Sequence, residues 1–100
     1  MIEKLPKIQI LITTNDQYIE GELIIPENIK INGSEPDNIL FYVLNSGFQF
    51  VTLRNVEVKD RKNLSFRPDK SIQIHVNISS IISVQILDIL SDDDENQIGQ

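Results

Sequence analysis

The sequence predicts a small, mainly β-stranded domain, a small barrel with one short helix set into an insert. Three observations predict it. The apolar residues, 40% of the chain, are dominated by Ile, with Leu and Val behind, while Ala is absent and Met occurs once. Side chains that branch at Cβ suit a pleated, half-buried surface better than a helix face. Residues 7–26, KIQILITTNDQYIEGELIIP, alternate apolar and polar on either side of Asn15-Asp16, as two strands joined by a tight turn would. Gly21 interrupts the second of those strands on its apolar face, where a glycine marks a bulge, a sharp bend or a close backbone crossing.

The elements follow in order. Residues 1–6 are a lead-in closed by Pro6, which cannot donate to a ladder and belongs just before a strand. Ile8, Ile10 and Ile12 then share one face, with Gln9, Leu11 and Thr13 on the other. Residues 14–17 supply the turn, since Asn and Asp tolerate positive φ. The return strand sets Ile19, Leu23 and Ile25 against Tyr18, Glu20, Glu22 and Ile24, and Pro26 ends it. Residues 27–35 read as a loop with Asn32-Gly33 as a turn.

Ser34, Pro36 and Asp37 read as a helix start, with Ser34 as cap and Pro36 in the first turn. The helix would run over 38–44, stop at Asn45-Ser46-Gly47, and turn Ile39, Leu40, Val43 and Leu44 to the core. A strand over 39–44 is the alternative, because so short a helix is marginal alone. Residues 48–59 read as one long strand or as two halves with a change of phase. Phe48 and Phe50 share a face, Val51 and Leu53 the opposite one, and Val56 and Val58 return to the first. Residues 60–63 form a polar hairpin turn. Leu64 and Phe66 begin a strand that residues 67–70 interrupt, and Ile72, Ile74 and Val76 point inward beyond it. Residues 77–80 are a short turn before a last strand over 81–87. The expected organisation is one domain over 7–88 and a disordered acidic tail over 89–100, where Asp92-Asp93-Asp94-Glu95 stand in a row.

A chain of 100 residues supports one compact core. Its net charge of −6 and pI of about 4.6 argue against a surface that tracks phosphates, because such affinity comes from clustered Lys and Arg. The absence of Cys removes disulfides, thiolate metal sites and Cys nucleophiles together and suits a reducing compartment. With no secretory leader and no apolar run of the ~18 residues that span a bilayer, the expected location is the cytoplasm, away from membranes.

Candidate chemistry is thin. His75, the only histidine, stands between Ile74 and Val76 without a Cys or a carboxylate in ligand spacing, and reads as an outward strand residue. Glu20 and Glu22 share a strand face, yet general acid–base work needs a pocket around them, and they read as solvent-facing. The acidic run at 92–95 lacks the glycine and spacing of a calcium loop. No nucleophile elbow or phosphate-binding glycine loop occurs among only four glycines. No catalytic residue, metal ligand or cofactor site is assigned, and the expectation is that the chain is not an enzyme.

The segment 7–24, with Tyr18-x-x-Gly21-x-Leu23 after a polar turn, resembles the opening of the Sm-like branch of SH3-like barrels. Residues 72–86, strand, short turn, strand, resemble the closing of such barrels. The resemblance covers about residues 7–87 and implies a five-stranded SH3-like or Sm-like barrel. The chain is also similar to a family of small uncharacterised bacterial domains. Pro26, the segment from Asp37 to Leu40, the segment from Phe48 to Leu53, and Val76-Asn77 fall where that family's features stand. RNA binding is not implied. The Asp and Asn that RNA-binding Sm proteins carry after the second strand are replaced by the insert at 26–47, and the closing turn Asn77-Ile-Ser-Ser80 has no Arg-Gly.

Two functional expectations result. The favoured one is a non-catalytic module that binds a protein partner or assembles with itself, with Ile39, Phe41 and Tyr42 of the insert as contact surface. The alternative is an Sm-like nucleic-acid-binding protein using a basic patch of Arg54, Lys59, Arg61, Lys62, Arg67 and Lys70, with Phe66 among them.

Overall fold

The computed structural model describes residues 6–26, 35–63 and 67–90. Five strands, β1 (Lys7–Thr13), β2 (Gln17–Leu23), β3 (Phe50–Asp60), β4 (Asp69–Asn77) and β5 (Ser83–Leu90), form one antiparallel sheet in the order β4-β3-β2-β1-β5. One helix, α1 (Pro36–Asn45), lies between β2 and β3, and a 3-10 turn (Ile78–Ser80) joins β4 to β5. The described residues are therefore mostly β, with one helix in the insert. Among the described residues the sheet is not closed into the expected barrel: β4 and β5 are its two edges.

The alternation in β1 and β2 translates directly into burial. Ile8, Ile10 and Ile12 are fully buried, and Ile19 and Leu23 join them from β2. The turn between these strands is organised by Thr14 rather than by positive φ at Asn15 or Asp16. The Thr14 N–H donates to the Gln17 carbonyl (2.9 Å), and the Gln17 N–H donates back to the Thr14 hydroxyl (3.1 Å). Among the described residues the only non-glycine with positive φ is Asn55, at 54°.

Asn55 sets the shape of β3. The β2–β3 ladder pairs Glu20 with Glu57 but Glu22 with Arg54, so Gly21 alone spans Asn55 and Val56. This is a bulge, and it shifts the side-chain phase of β3 by one residue. Val56 thus joins Val51 and Leu53 in the core instead of returning to the face of Phe48 and Phe50, which are exposed. The same step explains Ile72. It falls across from Asn55 on edge strand β4, where the alternation breaks, and is 86% exposed rather than inward; Val76 is buried and Ile74 half-buried. Asp69 and Lys70, read as an interruption, pair with Val58 and Glu57 inside β4.

A second bulge bends the other edge. Gln9 pairs with Asp88 and Ile10 with Ile86, leaving Leu87 as the extra residue of β5. Pairing continues to Leu90 opposite Lys7, two residues past the domain end expected at 88. The expectations for Ser34, the Asn32-Gly33 turn, Leu64, Phe66 and the acidic tail fall outside the described residues.

Helix α1 forms over the expected segment, and the strand alternative is not adopted. Its cap position is Glu35, which makes no side-chain cap bond, and Pro36 opens the first turn with Asp37 behind it, where an acid suits the helix dipole. Ile39 and Val43, four apart on one face, are buried against the sheet, and Leu40 packs beside them. The C-terminal carbonyls are satisfied locally. Asn45 Nδ2 donates to the Phe41 carbonyl (2.8 Å), the Ser46 hydroxyl donates to that of Tyr42, and Gly47 (φ 85°) turns the chain away. The 3-10 turn is held by Asn77, whose side-chain oxygen accepts from the Ser79 N–H (3.0 Å) and hydroxyl (2.8 Å). The Ile82 N–H donates to the Thr13 carbonyl (2.8 Å), which anchors the start of β5 beside the end of β1.

Candidate interaction surface

Burying Ile39 and Val43 turns the opposite side of α1 to solvent. Phe41 is 62% exposed, and its ring meets that of Tyr42 edge-on at 6.1 Å between centroids. Tyr42 is half-buried. The insert surface expected from the sequence is thus presented by Phe41 and in part by Tyr42. Ile39 does not belong to it. It is fully buried, because the helix must direct one apolar stripe at the sheet and Ile39 lies on that stripe.

Beside Phe41 the helix and the start of β5 enclose a groove of about 360 Å³, lined mainly by Leu40, Phe41, Leu44, Ile81, Ile82 and Val84. Among the described residues Asp37 is the only charged one on its wall. Ile82 is 58% exposed, and further along β5 Leu87 and Ile89 are 41% and 46% exposed. The apolar surface therefore runs from α1 onto the outer strand. Sequence reasoning missed the β5 side of it. Alternation marks which residues of a strand share a face, but whether that strand ends up at an edge depends on which neighbours it finds. A second hollow of about 390 Å³ lies at the other flank of the helix, with Phe48, Phe50, Ile24, Pro26 and His75 on its walls.

Three of the six residues of the expected basic patch, Arg54, Arg61 and Lys70, are engaged within the fold. The Arg54 guanidinium pairs with Glu22 at 3.1 Å, and Lys70 lies 3.9 Å from Glu57. Arg61 belongs to the scaffold: Nη1 donates to the Thr14 carbonyl (2.7 Å), the guanidinium lies 5.5 Å from the Tyr18 ring centre, and its N–H donates to the Asp16 carbonyl (2.9 Å). Lys59 lines a hollow shared with Glu20, Glu57 and Tyr18. Lys62 and Arg67 are exposed. Glu22, Glu57 and Glu20 stand beside Arg54, Lys70 and Lys59, so the positive field of these three is partly cancelled. Phe66 lies outside the described residues.

His75 is exposed on β4, with Nδ1 2.7 Å from the Thr52 hydroxyl across the ladder. Glu20 and Glu22 are half-buried on the sheet face opposite the core. The first is 3.5 Å from Gln9 Nε2 and the second is engaged by Arg54. Among the described residues no group of His, Asp and Glu is placed to hold a metal ion, and no helix is long and apolar enough to cross a membrane. Compared with protein-family models, curated proteins and solved structures, the chain finds no match.

Proposed function

We propose that the chain is a non-catalytic interaction module, a small five-stranded fold of the SH3-like or Sm-like kind that acts in the cytoplasm by binding a protein partner or itself. The observation that carries this reading is the continuous apolar surface of Phe41, Leu44, Ile82 and Val84 between α1 and β5. A large aromatic left mostly in water beside a groove with one charged residue is costly to keep exposed, and such patches mark contact sites. The succession of antiparallel strands, with the fifth returning beside the first and bulges bending both pairings, supports the small-barrel relationship. In this reading the basic residues of 54–70 serve the scaffold through Arg61 and the two ion pairs, and nucleic acid is not the ligand.

The test is to replace Phe41 and Tyr42 with Ser and to compare association with the native chain while following the fold by circular dichroism. Weakened association in a protein with a native spectrum is the expected result. Unchanged association would remove this surface from consideration.

A further inference from the structure

We infer that the open edge of β5 is completed by β5 of a second copy, the two strands running antiparallel about a two-fold axis at Gln85. This rests on the reading above, that the α1–β5 surface is a contact site, and names its occupant.

The two sheet edges differ in how well they are guarded. Strand β4 carries Asp69 and Lys70, with His75 further along, all exposed, and charges on an edge discourage addition of another strand. Strand β5 carries a single charged residue, Asp88, among Val84, Ile86, Leu87 and Ile89. Its inner side is paired with β1 from Ser83 to Leu90, and its outer side has no strand beside it among the described residues. An edge this apolar and this long is a template for a further strand.

The shape of the neighbouring groove says what that strand must look like. It lies between α1 and residues 81–84, so a strand laid against β5 would pass under the exposed flank of the helix. The side chains it turns to the core side would meet Leu40 and Phe41, while those on the other side would meet water. It must therefore alternate apolar and polar. Segment 83–86, Ser-Val-Gln-Ile, does so, with Val84 and Ile86 packed half-buried against the core and Ser83 and Gln85 exposed.

A two-fold antiparallel pair places some residue opposite its own copy. With Gln85 in that position, Val84 falls opposite Ile86 of the second copy, twice by symmetry. Each Asp88 then lies opposite Ile82 rather than opposite the other Asp88, so no like charges meet across the pair. Each copy nevertheless carries a net charge of −6, so the two repel at long range, and salt should strengthen the association by screening.

The chain has no cysteine, so a single introduced thiol reports the register directly. Directly opposite residues have Cα atoms ~4.5–5.5 Å apart, within the range a disulfide bridges. The experiment oxidises Gln85→Cys, with Gln73→Cys on β4 as control, in low and high salt. It also measures the masses of Leu87→Lys, Phe41→Ser and the native chain by light scattering. Expected are a covalent dimer of Gln85→Cys but not of Gln73→Cys, a noncovalent native dimer favoured by salt, and its loss in Leu87→Lys. Cross-linking of Gln73→Cys alone, or a monomer at every concentration with no cross-link, would overturn the inference. A dimer that survives Leu87→Lys but is lost in Phe41→Ser would also overturn it, while leaving the α1–β5 surface as a contact site. A dimer that survives both substitutions would overturn the inference and that reading together.

Discussion

Gly21 of β2 lies opposite the Asn55–Val56 step of β3, the one place in the β2–β3 ladder where one residue faces two. A methyl group built on Gly21 would come within 3.1 Å of the Arg54 carbonyl oxygen and of a Val56 methyl, and 3.2 Å from Leu53 Cβ. The glycine is favoured by contact. A Cβ there would be tight against the strand beside it, which would have to give by a few tenths of an ångström, and one of the crowded groups is backbone. Gly21→Ala is therefore expected to destabilise the fold by about 1–3 kcal/mol, the range for overpacking a core. Urea unfolding monitored by circular dichroism measures it, and an unchanged midpoint would contradict the close approach.

Asn55 makes the complementary prediction. Its backbone is left-handed at φ 54°, where Gly rests without strain and a β-branched residue does not. Asn55→Gly should leave stability within about 0.5 kcal/mol of native. Asn55→Val should cost roughly 1–3 kcal/mol despite its better strand propensity. Should the two variants unfold at the same urea concentration, the left-handed step would not exist in solution.

Arg61 separates a scaffold role from a ligand-binding one. Its guanidinium bonds the Thr14 carbonyl and lies over Tyr18, tying the end of β3 to the β1–β2 turn. Arg61→Ala should lower stability by about 1–2 kcal/mol, from one charge-assisted hydrogen bond and the ring contact. Exposed Lys62→Ala should change stability by less than about 0.5 kcal/mol. Equal, negligible effects on melting for the two variants would sink the scaffold assignment.

Glu20 and Glu57 are directly opposite each other in the β2–β3 ladder, a like-charge pair relieved on one side by Lys70 at 3.9 Å from Glu57. Removing one charge should help. Glu20→Gln is expected to stabilise by a few tenths of a kcal/mol, up to about 1, and the gain should shrink in high salt. Thermal melts at two ionic strengths test this, and a loss of stability at low salt would show that the pair does not repel.

Much of this architecture was legible in the chain, and what was not has identifiable causes. Ile8, Ile10 and Ile12 announce a buried strand face, because only burial accounts for strict alternation over so short a run. Gly21 marks the place of an irregularity, whether bulge, bend or close crossing, and Pro36 with Gly47 brackets the helix. The position of the phase change in β3 was hidden. Asn55 sits among strong strand formers, and its left-handed backbone is set by the partner strand rather than by its neighbours in sequence. Ile72 was misread for the same reason, since its alternation with Ile74 and Val76 ignores the break across from it. Of the residues expected at the candidate surface, Phe41 is exposed. Ile39 was not separated from it, because adjacent apolar residues on a short helix divide between core and solvent only once the sheet is in place. The contribution of Ile82 and β5 depended on strand order, which no local pattern encodes.

The central claim is that the apolar surface joining α1 to β5 is a contact site. It is tested most directly by light scattering behind size exclusion on the native chain and on Phe41→Ser, each at two concentrations. Expected are a discrete native assembly larger than the 11.5 kDa chain, and a shift to monomer in Phe41→Ser with an unchanged circular-dichroism spectrum. A native assembly whose mass is unchanged in Phe41→Ser at both concentrations would contradict it.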